Sequence, residues 1–386
     1  MTDNRILTTH AGSLPRTNQL RALFAARSKG QSIDEAALAH AVDVATRETV
    51  ARQLQVGLDI INDGEQSRES FFTYVQYRMT GFGGTSERPM MKDRLHFKDF
   101  SENALRQATA PERVSLLTAP RAQSAVTYTD AGRGAIAADC LRFQQALDGH
   151  DGYVSAFMTA ASPGIIAAAM DNDHYPTMEA YINALAAALA TEYQAIIDTG
   201  FLLQIDAPDL AMERHTYFQD RPLADFLEFA NNVITAINTA LKDIPKDKVR
   251  LHICWGNYEG PHIFDVPLDD IWPAVVQAHA GGLLLSMANP RHAHEYHHFE
   301  ANDLPDNCNL IVGVIDTTTN YVEHPKVVAE RIVRAARAVG DPTRIIAGTD
   351  CGFETAAGFQ SVADDVTWAK LEALTEGAIL ASQDLF

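Results

Sequence analysis

Cysteine is scarce in this chain. Cys140, Cys254, Cys308 and Cys351 are the only four, widely spaced among 386 residues. Such a set does not make a disulfide framework, so stability must come from a packed core, and the thiols are expected to stay reduced. Long apolar runs are missing as well. No stretch approaches the roughly 18 apolar residues that cross a bilayer, and the opening MTDNRILTTH has no apolar signal-peptide core. A cytoplasmic location without a membrane partner is the expectation. Positive charge is in short supply: Lys and Arg number 31 against 50 Asp and Glu, for a formal net charge of −19. That balance disfavours nucleic acid as a partner. No G-x-G-x-x-G turn follows the first apolar run, which argues against an open, doubly wound nucleotide-binding sheet.

What is present is a hydrophobic fraction of 46%, enough for one large core. Eight apolar runs read as strands: RILTT, GLDIIND, YVSAFMT, FLLQIDAP, VRLHICWG, GGLLLSMANP, NLIVGVID and TRIIAGTDCG. Helical patterns lie between them and carry end signals. Ser32 and Glu35 form a capping-box pattern before AALAHAVDVATRETVARQLQVG. TMEAYINALAAALATEYQAIIDTG stops at Gly200, and PKVVAERIVRAARAVG starts at Pro325 and stops at Gly340. Strands alternating with helices predict a parallel sheet, and eight of them predict closure. The fold class is therefore α/β, a single (β/α)8 TIM barrel over residues 1–386. Residues 85–150 break the rhythm with nine basic residues: Arg88, Lys92, Arg94, Lys98, Arg106, Arg113, Arg121, Arg133 and Arg142. They are read as an insertion between strands two and three. It is either a solvated excursion or a lid whose basic residue grips an anionic substrate. Apolar helix faces of barrels often pair, so a homo-oligomer is compatible with the sequence.

Active sites of parallel barrels lie at the C-terminal ends of the strands, and polar residues gather there. They are His10 and Ser13, Asp63 and Glu65, Asp206, His252 and Cys254, Asn289, Asp316, then Asp350 and Cys351. On a strand, alternate side chains share a face, so His252 and Cys254 point the same way. Cys351, at another strand end, brings a third soft or borderline donor. Sulfur and nitrogen donors in this number suit Zn2+ with an exchangeable fourth position. Free cysteine is commonly a small core residue, and that plainer reading holds for Cys140 and Cys308. In the run Arg291-His292-Ala293-His294-Glu295-Tyr296-His297-His298, Arg291 and His292 are nearest the strand end and are candidates to line a pocket. His294, His297 and His298 are expected to face solvent. Asp63-Gly64-Glu65 reads as a turn or an acid pair, with Arg68 close by.

TTHAGSLPR, GLDIINDGEQSR, LLQIDAPDL, LHICWGN and GTDCGF together resemble the catalytic half of cobalamin-independent methionine synthase. The resemblance runs in order from near residue 7 to the C-terminus. The chain is too short for that enzyme's extra N-terminal barrel and is similar to the single-barrel members, which include the epoxyalkane:coenzyme M transferases. The resemblance implies zinc held by His252, Cys254 and Cys351. It also implies that Ser13, Glu65 and Asp206 hold the thiol substrate. Four positions depart from the methionine synthases. Ser286 stands where they carry a glutamate ligand, leaving the fourth position to water, the substrate thiol or another residue such as Glu354. FMTAASPG lacks the tryptophan expected over a folate. Threonine follows Asp316 where a histidine is expected, although His324 comes later. Asp206-Ala207-Pro208 lacks the acid of that turn.

These features lead to an expected function of zinc-dependent alkyl transfer to a small thiol, with an epoxide or methyl compound as electrophile. Asp63, Arg68, Asn289 and Arg291 are further substrate-binding candidates. His10, Asp316 and His324 are candidates for the acid that protonates the leaving group. Methyltetrahydrofolate–homocysteine methyl transfer is the alternative. Readings from other classes are a metal-free decarboxylase related to uroporphyrinogen decarboxylase and a non-catalytic zinc or thiol binding protein.

Overall fold

The computed structural model describes residues 4–102, 113–116 and 118–386. Each of the eight apolar runs contains a strand of one parallel sheet. They are β1 (Leu7–Thr8), β2 (Ile60–Asn62), β5 (Ser155–Ala161), β6 (Leu202–Asp206), β7 (Val249–Ile253), β8 (Gly282–Leu285), β9 (Asn309–Ile315) and β10 (Ile345–Thr349). A hairpin lies outside this sheet, β3 (Met79–Gly83) against β4 (Arg121–Tyr128), antiparallel. The parallel strands run in the order β1-β10-β9-β8-β7-β6-β5-β2, the order of a (β/α)8 barrel opened at a single seam.

Side chains close that seam. β1 and β2 share no ladder, but Asp59 Oδ2 accepts from the Thr8 backbone N–H at 2.8 Å and from Thr8 Oγ1 at 3.0 Å. Thr9 Oγ1 donates to the Ile60 carbonyl at 3.0 Å. Arg5 pairs with Asp59 at its rim. Period-two alternation sets the two layers of the barrel wall. Leu203, Ile205, Leu251 and Ile253 face outward into the helix layer and join the main core. Gln204, Asp206, Arg250 and His252 face inward, and the register pairs Gln204 with Arg250 and Asp206 with His252. Arg250 is buried inside, bonded to Thr9 Oγ1 at 3.1 Å and lying 4.1 Å from the Phe157 ring centroid. Burial pushes its pKa down to about 9.

The helix ends agree with the sequence at Gly200 and Gly340, which adopt φ of 90° and 79° just past their helices. The capping box does not form. Asp34 caps helix Glu35–Gln55 instead, accepting from the N–H groups of Ala36 and Ala37 at 3.0 and 3.1 Å, so Ser32 lies outside the helix. The excursion between β2 and β5 has other limits than 85–150. It begins with the hairpin at Met79, and helix Asp130–Leu147 packs on the barrel wall between helices Glu35–Gln55 and Met178–Asp198. Gly132, Ile136, Cys140 and Phe143 form that helix's buried stripe. Arg106 lies outside the described residues.

Candidate active site

His252 is the penultimate residue of β7 and points into the barrel, and Cys254 follows one residue past the strand. Cys351 follows β10 in a turn that Thr349 shapes by donating to the Cys351 carbonyl at 2.8 Å. Ser13 packs so closely on this turn that a Cβ at Gly352 would lie 2.1 Å from Ser13 Oγ. The donor atoms of His252, Cys254 and Cys351 all lie within 4.8 Å of one another, and all three residues are buried. His252 Nδ1 bonds to Asp206 Oδ1 at 3.0 Å, and Gln204 Nε2 donates to the same oxygen at 2.8 Å. This arrangement fixes the imidazole while its Nε2 faces the Asp350 carbonyl at 3.2 Å.

The two thiols influence each other's charge in opposite directions. Hydrogen bonding from Cys351 holds the Cys254 thiol well below its ordinary range, against the opposing pull of burial, and His252 adds to the lowering. Cys351, the donor of that bond, is pushed up in turn. Burial works against a charged His252, but the Cys254 charge and the Asp206 hydrogen bond outweigh it and raise the imidazole to about 10. Two sulfurs and an imidazole, with the outer imidazole nitrogen held by a carboxylate, form a donor set that fits zinc. Ser286 lies beside it, its Oγ 3.9 Å from Cys351 Sγ and donating to the Asp350 carbonyl at 2.7 Å. Glu354 does not complete the set. Its carboxylate is taken up by Arg21 at 2.9 Å, by the Arg16 N–H and by the Gly358 N–H, so it anchors loops instead.

A cavity of about 140 Å3 opens over the three donors. Ser13, Glu65 and Asp206 line it, as do Met90, Met91 and Arg94 from the excursion after β3. Glu65 sits at φ 57°, a left-handed conformation that turns its side chain over Gly12. A Cβ at Gly12 would lie 2.5 Å from Glu65 Oε1, so glycine is what lets the carboxylate approach. Thr159 Oγ1 donates to Glu65 Oε1 at 3.0 Å and accepts from Arg68 Nη1 at 3.0 Å. The other oxygen, Oε2, is buried without a partner. Burial first, and repulsion from Asp206 second, push Glu65 up to about 7.

The remaining site residues read from the sequence scatter. Arg68 is fully buried in a network with Tyr74, Arg78 and Glu192 and does not line the cavity. Its guanidinium meets the Glu65 carboxylate through Thr159. Asp63 accepts from the Glu65 N–H at 3.0 Å and shapes the turn. His10 lies beneath the floor, its Nε2 2.8 Å from Gln53 Oε1, and burial lowers its pKa to about 4. Asp316 and Asn289 line a narrow cleft behind Cys351. Arg291 is exposed and bonds the His262 carbonyl at 2.9 Å. His324 is an exposed helix N-cap, accepting from the Lys326 N–H at 3.2 Å. His294 and His297 are exposed, but His298 is buried against Trp272 and bonded to Asp269. Its neighbours in sequence gave no sign of this, because the run is a single 3-10 turn with one face inward. Tyr258 and Asn257 also line the cavity. They follow Cys254 in a loop without periodicity, and nearness to the H-x-C pair was the one available signal.

Comparison with known proteins agrees with the motifs. The family model for the catalytic domain of cobalamin-independent synthase matches residues 6–94. A methionine synthase of Sulfolobus acidocaldarius is 22% identical over 98% of this chain and 93% of its own length. A 2-hydroxypropyl-CoM lyase of Xanthobacter autotrophicus is 25% identical over 99% of this chain and 96% of its own. The fold is that of a B12-independent methionine synthase from Shewanella sp. W3-18-1 solved with selenomethionine, at TM-score 0.73, 20% identity and 99% coverage of both chains. Over residues 6–94 the chain is similar to the catalytic domain of cobalamin-independent synthase, and over its length it shares the fold of such a synthase.

Proposed function

We propose that this protein is a zinc-dependent enzyme that alkylates a small thiol. The observation that carries the reading is the convergence of His252, Cys254 and Cys351 on one cavity with Ser13, Glu65 and Asp206. A zinc ion held by the three would lower the pKa of a substrate thiol so that the thiolate, the nucleophile, is present at neutral pH. The chain's own groups then divide the work. Asp206 fixes the His252 ring. Met90, Met91 and Phe71 line the cavity with apolar surface suited to a short alkyl group. Arg94, at the cavity rim with its Nε unpartnered, offers a cation to an anionic end of either substrate. Arg88 does not, because Glu213 already pairs with it. The excursion that carries both arginines acts as the lid over the barrel mouth.

Glu65 is the acid in this proposal. Its Oε2 is free, it lines the cavity, and a pKa of about 7 keeps a proton on it for part of the population at neutral pH. Opening an epoxide forms a C–S bond, breaks a C–O bond and leaves an alkoxide, which takes the proton from Glu65. The methyl-transfer reading, with homocysteine as acceptor, draws on the same three residues Ser13, Glu65 and Asp206 and on the relatives named methionine synthase.

Cobalt-substituted protein and its Cys351→Ser variant test the proposal. Sulfur-to-cobalt charge-transfer absorption is expected in the first and not in the second. Thiol consumption with a short epoxyalkane or with methyltetrahydrofolate should depend on the same residue. Turnover undiminished in Cys351→Ser would overturn the assignment.

A further inference from the structure

A second set of donors lies at the same end of the barrel and plays no part in the proposed reaction. His215 ends the turn Met212–His215 after β6, His262 and Asp265 lie in the loop after β7, and His292 lies in the loop after β8. The side chains are 1–4% exposed. Asp265 Oδ2 is 2.8 Å from His262 Nδ1 and 2.7 Å from His292 Nε2, while its Oδ1 is 2.8 Å from His215 Nδ1.

The outer nitrogens decide what this set is for. His262 Nε2 faces the Tyr258 carbonyl at 3.1 Å, and His292 Nδ1 faces Glu295 Oε1 at 3.5 Å. Both partners only accept. A metal-ligating histidine typically gives its second N–H to such a carbonyl or carboxylate, which sets the tautomer and orients the ring. Without a metal, His262 stands between two acceptors, and His292 Nδ1 is buried without a hydrogen-bond partner. The carboxylates outweigh burial and raise the pKa of both rings. Where both rings are protonated, a divalent cation that displaces one proton from each leaves the charge unchanged. The donors inward of it would be His262 Nδ1, His292 Nε2 and Asp265 Oδ2, which lie within 4.8 Å of one another.

We propose that His262, His292 and Asp265 form a second metal site for a divalent cation of the zinc class, with His215 holding the other oxygen of Asp265. Two imidazoles and a carboxylate suit that class of ion. Bonds of about 2.0–2.1 Å require the donor atoms to stand roughly 3.3 Å apart, so Asp265 moves outward by a few tenths of an ångström on binding. The ion ties together the loops after β7 and β8, and His215 joins the loop after β6 to them through Asp265. Those loops supply Met212, Asn257 and Tyr258 to the cavity wall. Trp255 stacks on His292 at 3.9 Å and is next in sequence to Cys254, so the second site holds one edge of the first. Its role is to position that wall, and it stands independently of the proposed reaction.

Zinc content per chain tests this in the purified, zinc-saturated and desalted protein. Two zinc ions are expected in the wild type, one in Cys351→Ser, and one in a His262→Gln/His292→Gln variant that retains sulfur-to-cobalt absorption. One ion in the wild type and none in Cys351→Ser would overturn the second site while leaving the first intact. A measurement without substitutions guards against a variant that does not fold: long-range 1H–15N correlation spectra of 15N-histidine-labelled wild type. Added zinc should move three rings, His252 at the first site and His262 and His292 at the second, from the imidazolium pattern to that of neutral, ligated rings. Two imidazolium patterns that persist at excess zinc would refute the site.

Discussion

Two clusters of metal-binding residue types sit side by side at the C-terminal end of the barrel, with Trp255 between them. They are built on opposite plans. In the first, His252, Cys254 and Cys351 face a cavity, and the carboxylates of Asp206 and Glu65 add negative charge around them. In the second, His215, His262 and His292 close around Asp265. The difference separates a site with an accessible side, where a substrate can enter, from a closed site whose groups tie loops together. Burial is similar in both. Donor chemistry and access set them apart.

The comparison breaks most completely at the thiols. Cys351→Ser is expected to abolish measurable thiol alkylation while leaving the far-ultraviolet circular dichroism unchanged, because the residue ends a turn and supports no helix. The opposite outcome is expected at Asp265→Asn. It leaves buried imidazoles without their counter-charge, so a loss of about 3–5 kcal/mol should appear in denaturant unfolding of the metal-free protein. Sulfur-to-cobalt absorption should survive in the fraction that remains folded.

Glu65→Gln sharpens the contrast in charge. The folded-state pKa of Glu65, about 7, lies above its ordinary 4.5. Its contribution to stability is therefore fully present below the lower value and is lost as pH rises through the upper one. The variant, compared with the wild type, should gain up to roughly 3 kcal/mol across that window, read from unfolding curves at pH 4.5 to 7.5. An unchanged difference across the window would mean that Glu65 is not held near neutrality. The smallest effect is expected from Asp206→Asn, which loosens the His252 ring without removing a donor. Metal affinity should fall about 10–100-fold in competition with a chromophoric chelator.

The barrel was legible because its strands are buried on both faces and read as apolar runs with polar ends. All eight runs hold strands, and the H-x-C pair shares a face as the period of two requires. The β3–β4 hairpin escaped notice for the same reason in reverse. RAQSAVTY is mostly exposed, so it lacks a buried run's signature. Helix Asp130–Leu147 was hidden inside a charged segment, although Gly132, Ile136, Cys140 and Phe143 recur at helical spacing. Ser32 resembled a cap because capping boxes are defined by residue type, and Asp34, two positions on, meets the helix N–H groups directly. Of the residues read from the sequence, Ser13, Glu65, Asp206, His252, Cys254 and Cys351 line the cavity. His10, Arg68 and His324 do not, because a strand end fixes direction but not what stands between a side chain and the cavity. The second cluster joins three loops, and no local pattern links His215 to His292.

The pairing of β1 with β10 bears on how the chain reaches its final form. Closure joins the ends of the chain: Ala11 N–H bonds Thr349 Oγ1 across 338 positions, and so does Arg16 N–H with Glu354. Contacts of such separation form late, since a long loop must close before they contribute. During synthesis, which proceeds from the N-terminus, His252 and Cys254 emerge well before Cys351. The nascent chain therefore carries a half-built chelate with an exposed, reactive thiol until its last strand arrives. On the proposed zinc reading, metal capture and barrel closure would be one event, and oxidation of Cys254 in that interval would block both.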